Sequence, residues 1–231
     1  MPLAGGIVQH GYQCGQLWGA VLAAGAQAYR LFGPGPQAET AAIIAAQRLV
    51  NAFRAHCGYV DCLELTETDW RIPKQILWYL IRGGAIRCFG MTAGFAPVAF
   101  REINEAFSDR HIKAPPPPAS CAAVLAQKMG ASDLHTVMAA GLAGGIGFSG
   151  GACGALGAAI WIMEMNSGQD DIEKIQYKSP NAVKVIDRFM AGTGSRFGCF
   201  DIIEHKFTSV ADHSRYLREG GCAEIIHALA V

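Results

Sequence analysis

The residues of this sequence best suited to chemistry are its eight cysteines, because thiols bind metals and exchange electrons. Six of them fall into two series of three at nearly matching intervals: Cys14, Cys62 and Cys88 in the first half, and Cys153, Cys199 and Cys222 in the second. Packing alone rarely repeats residue identity at such spacing. A repeat longer than a hundred residues indicates two related domains rather than a solenoid.

The residues around the cysteines repeat as well. A Gly-Gly-Ile segment precedes a Cys-Gly pair in both halves, at residues 5–7 ahead of Cys14 and at residues 144–146 ahead of Cys153. The offset from the glycines to the cysteine is the same both times, and a Gly-Ala pair follows each cysteine. We therefore predict a tandem duplication built around thiols.

At these residues the second half resembles the C_GCAxxG_C_C family of redox-active proteins, which has four cysteine positions. Cys121 in Ser-Cys-Ala-Ala-Val-Leu is similar to the first position, and Cys153 in Gly-Gly-Ala-Cys-Gly-Ala-Leu-Gly-Ala to the second. Cys199 in Phe-Gly-Cys-Phe-Asp-Ile-Ile is similar to the third position, and Cys222 in Gly-Gly-Cys-Ala-Glu-Ile-Ile to the fourth.

The first half resembles the same family at three positions. Cys14, Cys62 and Cys88 are similar to the second, third and fourth cysteines, and the counterpart of the first would lie upstream of Met1. The first site is then incomplete, or Cys57 substitutes, or a ligand comes from elsewhere. Cys57 has no counterpart in the second half and is otherwise interpreted as a packing residue or a spare thiol.

The resemblance implies a redox role in which the cysteines are candidate iron–sulfur ligands. A metal would be held by Cys121, Cys153, Cys199 and Cys222, and the cofactor-binding set would extend to Cys14, Cys62 and Cys88. Four thiolates also suit zinc, but small zinc sites usually contain C-x-x-C pairs, which this sequence lacks. Glycines beside Cys153 would let backbone amides reach a cluster, so iron–sulfur is favoured over zinc.

Haem attachment and three metal-free interpretations of the cysteines are the alternatives to a cluster. A related domain accompanies haem in the split-Soret type of cytochrome, but without C-x-x-C-H no haem c is expected here. Thiol–disulfide exchange is one alternative, since Cys57 and Cys62 are close enough in sequence to meet. A non-catalytic assembly subunit is another. Buried cysteine as a small apolar filler is the third.

Helices are the elements that must bring these cysteines together, because no strongly alternating strand pattern occurs. Apolar periodicity and breakers predict helices at 16–32, 38–56, 97–107, 153–165, 180–190 and 220–230. Asp69 is predicted to cap a helix to Arg82, while Ser120 and Asp133 are predicted to cap two more. Residues 144–151 are predicted to form an irregular turn. The fold class is all-α, as two similar helical bundles.

Four consecutive prolines at 115–118 separate the halves and favour an extended, semi-rigid linker. We therefore predict a first repeat at 1–112, a linker at 113–119 and a second repeat at 120–231.

Composition narrows the classes of partner. With 51% apolar residues and zero formal net charge, the chain has no basic stripe for nucleic acid and favours association, as a homo-oligomer or complex subunit. Residues 1–29 and 137–163 contain no Asp, Glu, Lys or Arg, but their glycines and flanks argue against membrane spans. No basic secretory signal begins the chain, so we expect a cytoplasmic, reducing location.

The sequence thus predicts an iron–sulfur redox protein that exchanges electrons with a partner protein. It favours an electron carrier or a redox subunit over a stand-alone enzyme.

Overall fold

The computed structural model describes residues 3–109, 111–167 and 179–230. Within them the chain is helical, with isolated β-bridges as its only extended pairing, so the all-α prediction is confirmed. The helices are α1 (Gly15–Phe32), α2 (Pro36–Cys57), α3 (Cys62–Thr66), α4 (Pro73–Ile81), α5 (Gly84–Ala106), α6 (Cys121–Lys128), α7 (Asp133–Ala140), α8 (Gly154–Asn166), α9 (Pro180–Thr193), α10 (Cys199–Ile203), α11 (Val210–Arg218) and α12 (Ala223–Leu229).

The break between α1 and α2 follows directly from the sequence. Gly33 ends α1 with a positive φ of 74°, and its N–H donates to the carbonyl of Tyr29. Pro36 then occupies the first turn of α2, where a missing N–H costs nothing. Both helices bury an apolar stripe, and they pack against each other.

Three predicted helix starts differ in the structure. Asp69 does not cap α4, because its carboxylate accepts from the N–H of Arg71 and the helix begins at Pro73. Ser132, not Asp133, caps α7 by accepting from the N–H of His135. The helix predicted at 97–107 is the second half of the longer α5, which contains Pro97 in its interior. The cap at Ser120 is confirmed by the bond from the N–H of Ala123.

The two halves of the chain share one apolar core. Helix α7, which comes after the proline-rich segment, packs against α1 and α2 of the first half as well as against α6. Gly25 of α1 lies so close to α7 that an added Cβ would be 2.5 Å from the Cα of Met138. Buried side chains from both halves belong to a single cluster, so the predicted bundles are fused rather than separated.

The halves also contain the same local structures in the same order. Helices α1 to α5 in the first half match α8 to α12 in the second in order and approximate position. One isolated antiparallel bridge occurs at the matching place in each, between Gln13 and Asp61 and between Ala152 and Gly198. This agreement supports the predicted duplication, which stays a prediction.

Neither charge-free segment forms a membrane span. Among the residues that the structure describes, no helix has both the length and the apolar character needed to cross a bilayer.

Candidate metal centre

A left-handed turn stands ahead of one cysteine in each half. All five residues at 5–9 have positive φ, and so do all five at 144–148. Three of these residues, Ile7, Val8 and Ile146, are β-branched and almost fully buried. Such residues rarely adopt positive φ, so the turns are strained and must be held by their surroundings. The glycine-dense turn predicted at 144–151 is confirmed.

Backbone pairing after these turns places two cysteines side by side in each half, Cys153 with Cys199 and Cys14 with Cys62. In the second half, the N–H of Cys153 donates to the carbonyl of Phe197 at 2.8 Å, and the N–H of Cys199 donates to that of Gly151 at 2.7 Å. The same two bonds recur in the first half, where Cys14 donates to Val60 (2.8 Å) and Cys62 donates to Tyr12 (2.7 Å). A reciprocal backbone pairing therefore joins the starts of two helices at each site.

Each of the four second-half cysteines begins a helix. Cys121 and Cys199 are the first residues of α6 and α10, whereas Cys153 and Cys222 are the residues before α8 and α12. Helix N-termini carry unpaired N–H groups and positive potential, which stabilise negative charge on a nearby sulfur. In the first half Cys14 and Cys62 also begin helices, but Cys88 lies inside α5.

Backbone N–H groups donate to the sulfurs at these helix starts. The Cys153 sulfur accepts from Ala155 and Leu156, and that of Cys121 accepts from Gly144 in the left-handed turn. The Cys14 sulfur accepts from Gln16 and Leu17 of α1, just as Cys153 does at the start of α8. These bonds favour the thiolate and lower the pKa.

Burial nevertheless dominates the pKa of the second-half thiols. It raises the pKa of Cys121 to about 12, and the neighbouring Cys153 adds to the rise. The pKa of Cys199 is raised by burial and then by Cys153, Cys121 and Cys222. Burial also raises the pKa of Cys222, with Cys121 and Cys153 contributing. The four thiols are thus near enough to influence one another, and without a metal they are protonated at neutral pH.

The first-half thiols form a similar group. Burial raises the pKa of Cys62 to about 12, with Cys14 and Cys88 nearby, and that of Cys14 to about 11. Cys57, the last residue of α2, is close enough to add to the rise at Cys14. Of the alternatives for the missing fourth thiol, Cys57 is thus within electrostatic reach of this group.

A tyrosine accompanies the last cysteine at each site. The Tyr79 hydroxyl lies 2.7 Å from the Cys88 sulfur and donates to the carbonyl of Gly84. Tyr216 makes a hydrogen bond with Cys222, which lowers the pKa of that thiol. Each ring lies directly over a glycine, Gly84 or Gly221.

Sequence reasoning missed these tyrosines, although a Tyr-x-x-x-x-Gly spacing occurs in both halves. Aligning the two spacings places Ala85 opposite Cys222. Cys88 therefore stands three residues further along, about one turn into α5.

The two sites differ in how well the neighbouring helices shield them from solvent. In the second half α6 packs against α8 and α12, and Ala158 and Ile162 of α8 are fully buried. The matching residues of α1, Gly19 and Ala23, are exposed. The second-half site is therefore the better shielded of the two.

All eight cysteines are free thiols. Among the described residues, no three His, Cys, Asp or Glu side chains are arranged around a point where one metal ion would sit.

Comparison with known proteins agrees with the position of the four-thiol site. No curated protein and no solved structure matches the chain. Residues 119–231 match a family described as "Putative redox-active protein (C_GCAxxG_C_C)". That range begins just before Cys121 and includes all four second-half cysteines. Over its second half this chain is therefore similar to the C_GCAxxG_C_C family of redox-active proteins.

Proposed function

We propose that Cys121, Cys153, Cys199 and Cys222 hold an iron–sulfur cluster and that the protein transfers electrons, as a carrier or as a redox subunit. The observation that carries this proposal is the meeting of four mutually interacting thiols, each at the start of a separate helix. The match of residues 119–231 to a family described as redox-active supports the redox part of the proposal.

The donor set fits such a cluster. Cysteine thiolates are the usual ligands of iron–sulfur clusters, and hydrogen bonds to their sulfurs tune the potential. The Gly144 N–H aimed at Cys121, and the α8 N–H groups aimed at Cys153, would supply those bonds. A single zinc ion would need four sulfurs each about 2.3 Å from one point, whereas a cluster distributes its thiolates over several iron atoms.

A bound cluster would supply reversible one-electron transfer. The protein would exclude water, since Cys121, Cys153 and Cys199 are each at most 7% exposed. It would also release protons on loading, because the thiols are protonated beforehand and ligands bind as thiolates. Half-buried Cys222 is the ligand nearest to solvent and to a redox partner protein.

Thiol–disulfide exchange without a metal is less well supported. It requires an attacking thiol with a lowered pKa. Burial instead raises the pKa of both Cys57 and Cys62, the pair first considered for exchange.

Anaerobic reconstitution with iron and sulfide tests the proposal. We expect bound iron and sulfide in equal amounts and visible absorption that bleaches on reduction. Cys153→Ser and Cys199→Ser should each remove the second-half share of iron while far-UV circular dichroism stays unchanged. Cys57→Ser, a change at a partly exposed thiol in the other half, is the matched control and should retain that share.

Three results would count against the cluster. A colourless, iron-free protein after reconstitution would exclude it, and so would full iron retention in both Cys153→Ser and Cys199→Ser. Stoichiometric zinc in the purified protein, lost in the same two variants, would replace the cluster by a zinc site. Parallel variants at Cys14 and Cys62 report whether the first half holds a centre of its own.

A further inference from the structure

Helix α4 and the outer face of α5 form an apolar hairpin that lies open to solvent. Only Tyr79 of α4 is buried. The large apolar side chains of the hairpin are between 54% and 77% exposed: Leu77, Trp78, Leu80, Ile81, Ile86, Phe89 and Phe100. Exposed apolar surface of this extent marks a binding surface in a folded protein.

The α5 residues of the hairpin share one face. Phe89 and Phe100 follow Ile86 by three and fourteen residues, which places all three on one side of a helix. Phe95 and Ala99 enter the core from the same helix. The outer face is therefore apolar although it makes no contribution to the core.

The hairpin is also cationic. Five basic side chains and no acidic ones occur between Asp69 and Glu102: Arg71, Lys74, Arg82, Arg87 and Arg101. Because the whole chain has zero formal net charge, the remainder carries five more acidic than basic residues. Arg71 pairs with Asp69 and Arg101 lies close to Glu102 and Glu105, so the positive charge beside the exposed apolar side chains rests on Lys74, Arg82 and Arg87. Arg82 lies over the Trp78 ring, 5.6 Å from its centroid.

The fold itself does not require this apolar hairpin. Helix α11 occupies the matching place in the second half, where it is polar and buries Val210, His213 and Ser214. His213 of α11 bonds to the carbonyl of Ala119, and Ser214 donates to that of Pro116. One copy of the helix packs beneath the proline-rich segment, while the other presents an apolar and basic surface.

We propose that the α4–α5 hairpin binds the surface of an anionic lipid bilayer. Exposed Trp, Phe and Ile side chains would enter the boundary between headgroups and acyl chains, and the flanking Lys and Arg would contact anionic headgroups. A second copy of the same face would bring like charges together, which disfavours self-association through it. This proposal departs from our expectation of no membrane partner, which considered only spanning segments.

Vesicle co-sedimentation tests the proposal. We expect the protein to bind vesicles of mixed phosphatidylserine and phosphatidylcholine, and to bind pure phosphatidylcholine vesicles much more weakly. Added salt should weaken binding. Lys74→Glu combined with Arg82→Glu should reduce binding about tenfold or more, since each basic residue near the surface contributes about 1 kcal/mol. Lys184→Glu, an exposed charge reversal on α9, is the control and should have little effect.

A separate variant tests the apolar contribution of the hairpin to vesicle binding. Trp78→Ser combined with Phe89→Ser should abolish vesicle binding without changing the circular dichroism, whereas Val183→Ser, at an exposed position of α9, should leave vesicle binding unchanged. No binding to anionic vesicles, or equal binding to neutral ones, would overturn the proposal. A dimer in analytical ultracentrifugation that becomes monomeric in the Trp78→Ser, Phe89→Ser variant, with no vesicle binding, would make the hairpin an interface between copies instead.

Discussion

Individual thiols of the four-cysteine site experience two opposing influences. The N–H groups at a helix start stabilise the thiolate of Cys153, while burial in an apolar shell stabilises its neutral form. Burial is stronger, so the pKa is raised. A metal that binds these thiols must displace their protons, whereas an incoming oxidant meets neutral and weakly nucleophilic sulfur.

A buried histidine gives the second half a defined response to acid. His213 is fully buried, its Nδ1–H donates to the carbonyl of Ala119 at 2.9 Å, and its Nε2 has no hydrogen-bond partner among the residues that the structure describes. Burial lowers its pKa from 6.5 to about 4. Above pH 6.5 the imidazole is neutral in both the folded and the unfolded state. As pH falls towards 4, only the unfolded state gains the proton, so stability is lost.

We predict that this histidine alone costs about 3 kcal/mol of unfolding free energy between pH 7 and pH 4. Urea denaturation at both pH values measures this loss in the wild type and in His213→Phe. The variant should lose less stability on acidification than the wild type. An identical loss in both would show that His213 does not remain neutral in the folded protein.

Gly221 is a second residue whose replacement should change stability, because it has no room for a side chain. A Cβ there would collide with the Tyr216 ring, which bonds to Cys222. We predict that Gly221→Ala lowers the unfolding free energy by about 1–3 kcal/mol, as overpacking does elsewhere. Gly192 in α9 has open space around it, so Gly192→Ala should instead raise stability by up to about 1 kcal/mol. Equal effects in thermal denaturation would contradict the assignment.

At the scale of elements, long periodic helices were predictable and short ones were not. The breaker at Gly33 and the apolar stripe of α2 mark their helices clearly. Helices α3 and α10 have five residues each, too few for a helical period to appear, and they form because their first residues pair with the strand-like segments ahead of α1 and α8. Helix α11 was not predicted either.

Pro97 explains another difference at this scale. A proline normally ends a helix, so a helix start was predicted there, but α5 continues through it. Pro97 is exposed, so its ring meets solvent rather than the core. The burial of Phe95 and Ala99 on either side outweighs the cost of a proline inside the helix.

We predict that Pro97→Ala raises the unfolding free energy by about 1–3 kcal/mol, because the carbonyl one turn earlier regains a donor. Chemical denaturation measures it, and Gly90→Ala, an exposed change in the same helix, provides the scale for a gain in helix propensity alone. A gain at Pro97 no larger than that at Gly90 would indicate that the carbonyl already has another partner.

At the scale of the whole molecule, one glutamine joins the two thiol sites. Gln13 precedes Cys14 and is almost fully buried. Its side-chain amide donates to the carbonyl of Gly145, and its side-chain oxygen accepts from the N–H of Ala152, both at 3.1 Å. Beside it the Tyr12 and Phe197 rings stack with centroids 4.8 Å apart. The segment that follows the first left-handed turn is thus joined directly to the second turn and to the residues after it.

We predict that Gln13→Ala lowers the unfolding free energy by about 2–4 kcal/mol, because two buried backbone groups lose their partners. Gln127→Ala, at an exposed position on α6, should change it by less than about 0.5 kcal/mol. Chemical denaturation monitored by tryptophan fluorescence compares the two variants. A small effect at Gln13 would mean that water replaces the lost bonds.

Repetition in the sequence indicated which thiols to group, whereas their structural setting was not predictable. Repetition of Cys153 and its glycines in the first half was visible because residue identity repeats. The Gln13 connection was not visible, since it joins residues far apart that have no shared pattern. Whether Cys57 joins the first set depends on where α2 ends relative to Cys14, which only tertiary packing determines.

The left-handed turns have a consequence for the order in which the protein assembles. Each β-branched residue in them costs about 1–2 kcal/mol, so an isolated turn is unfavourable and only packed surroundings stabilise it. We therefore expect both turns to close late in folding, after α1, α2 and α8 have packed. Until then Cys14 and Cys153 are accessible from solvent. The cluster proposed above would therefore have to be inserted before the turns close.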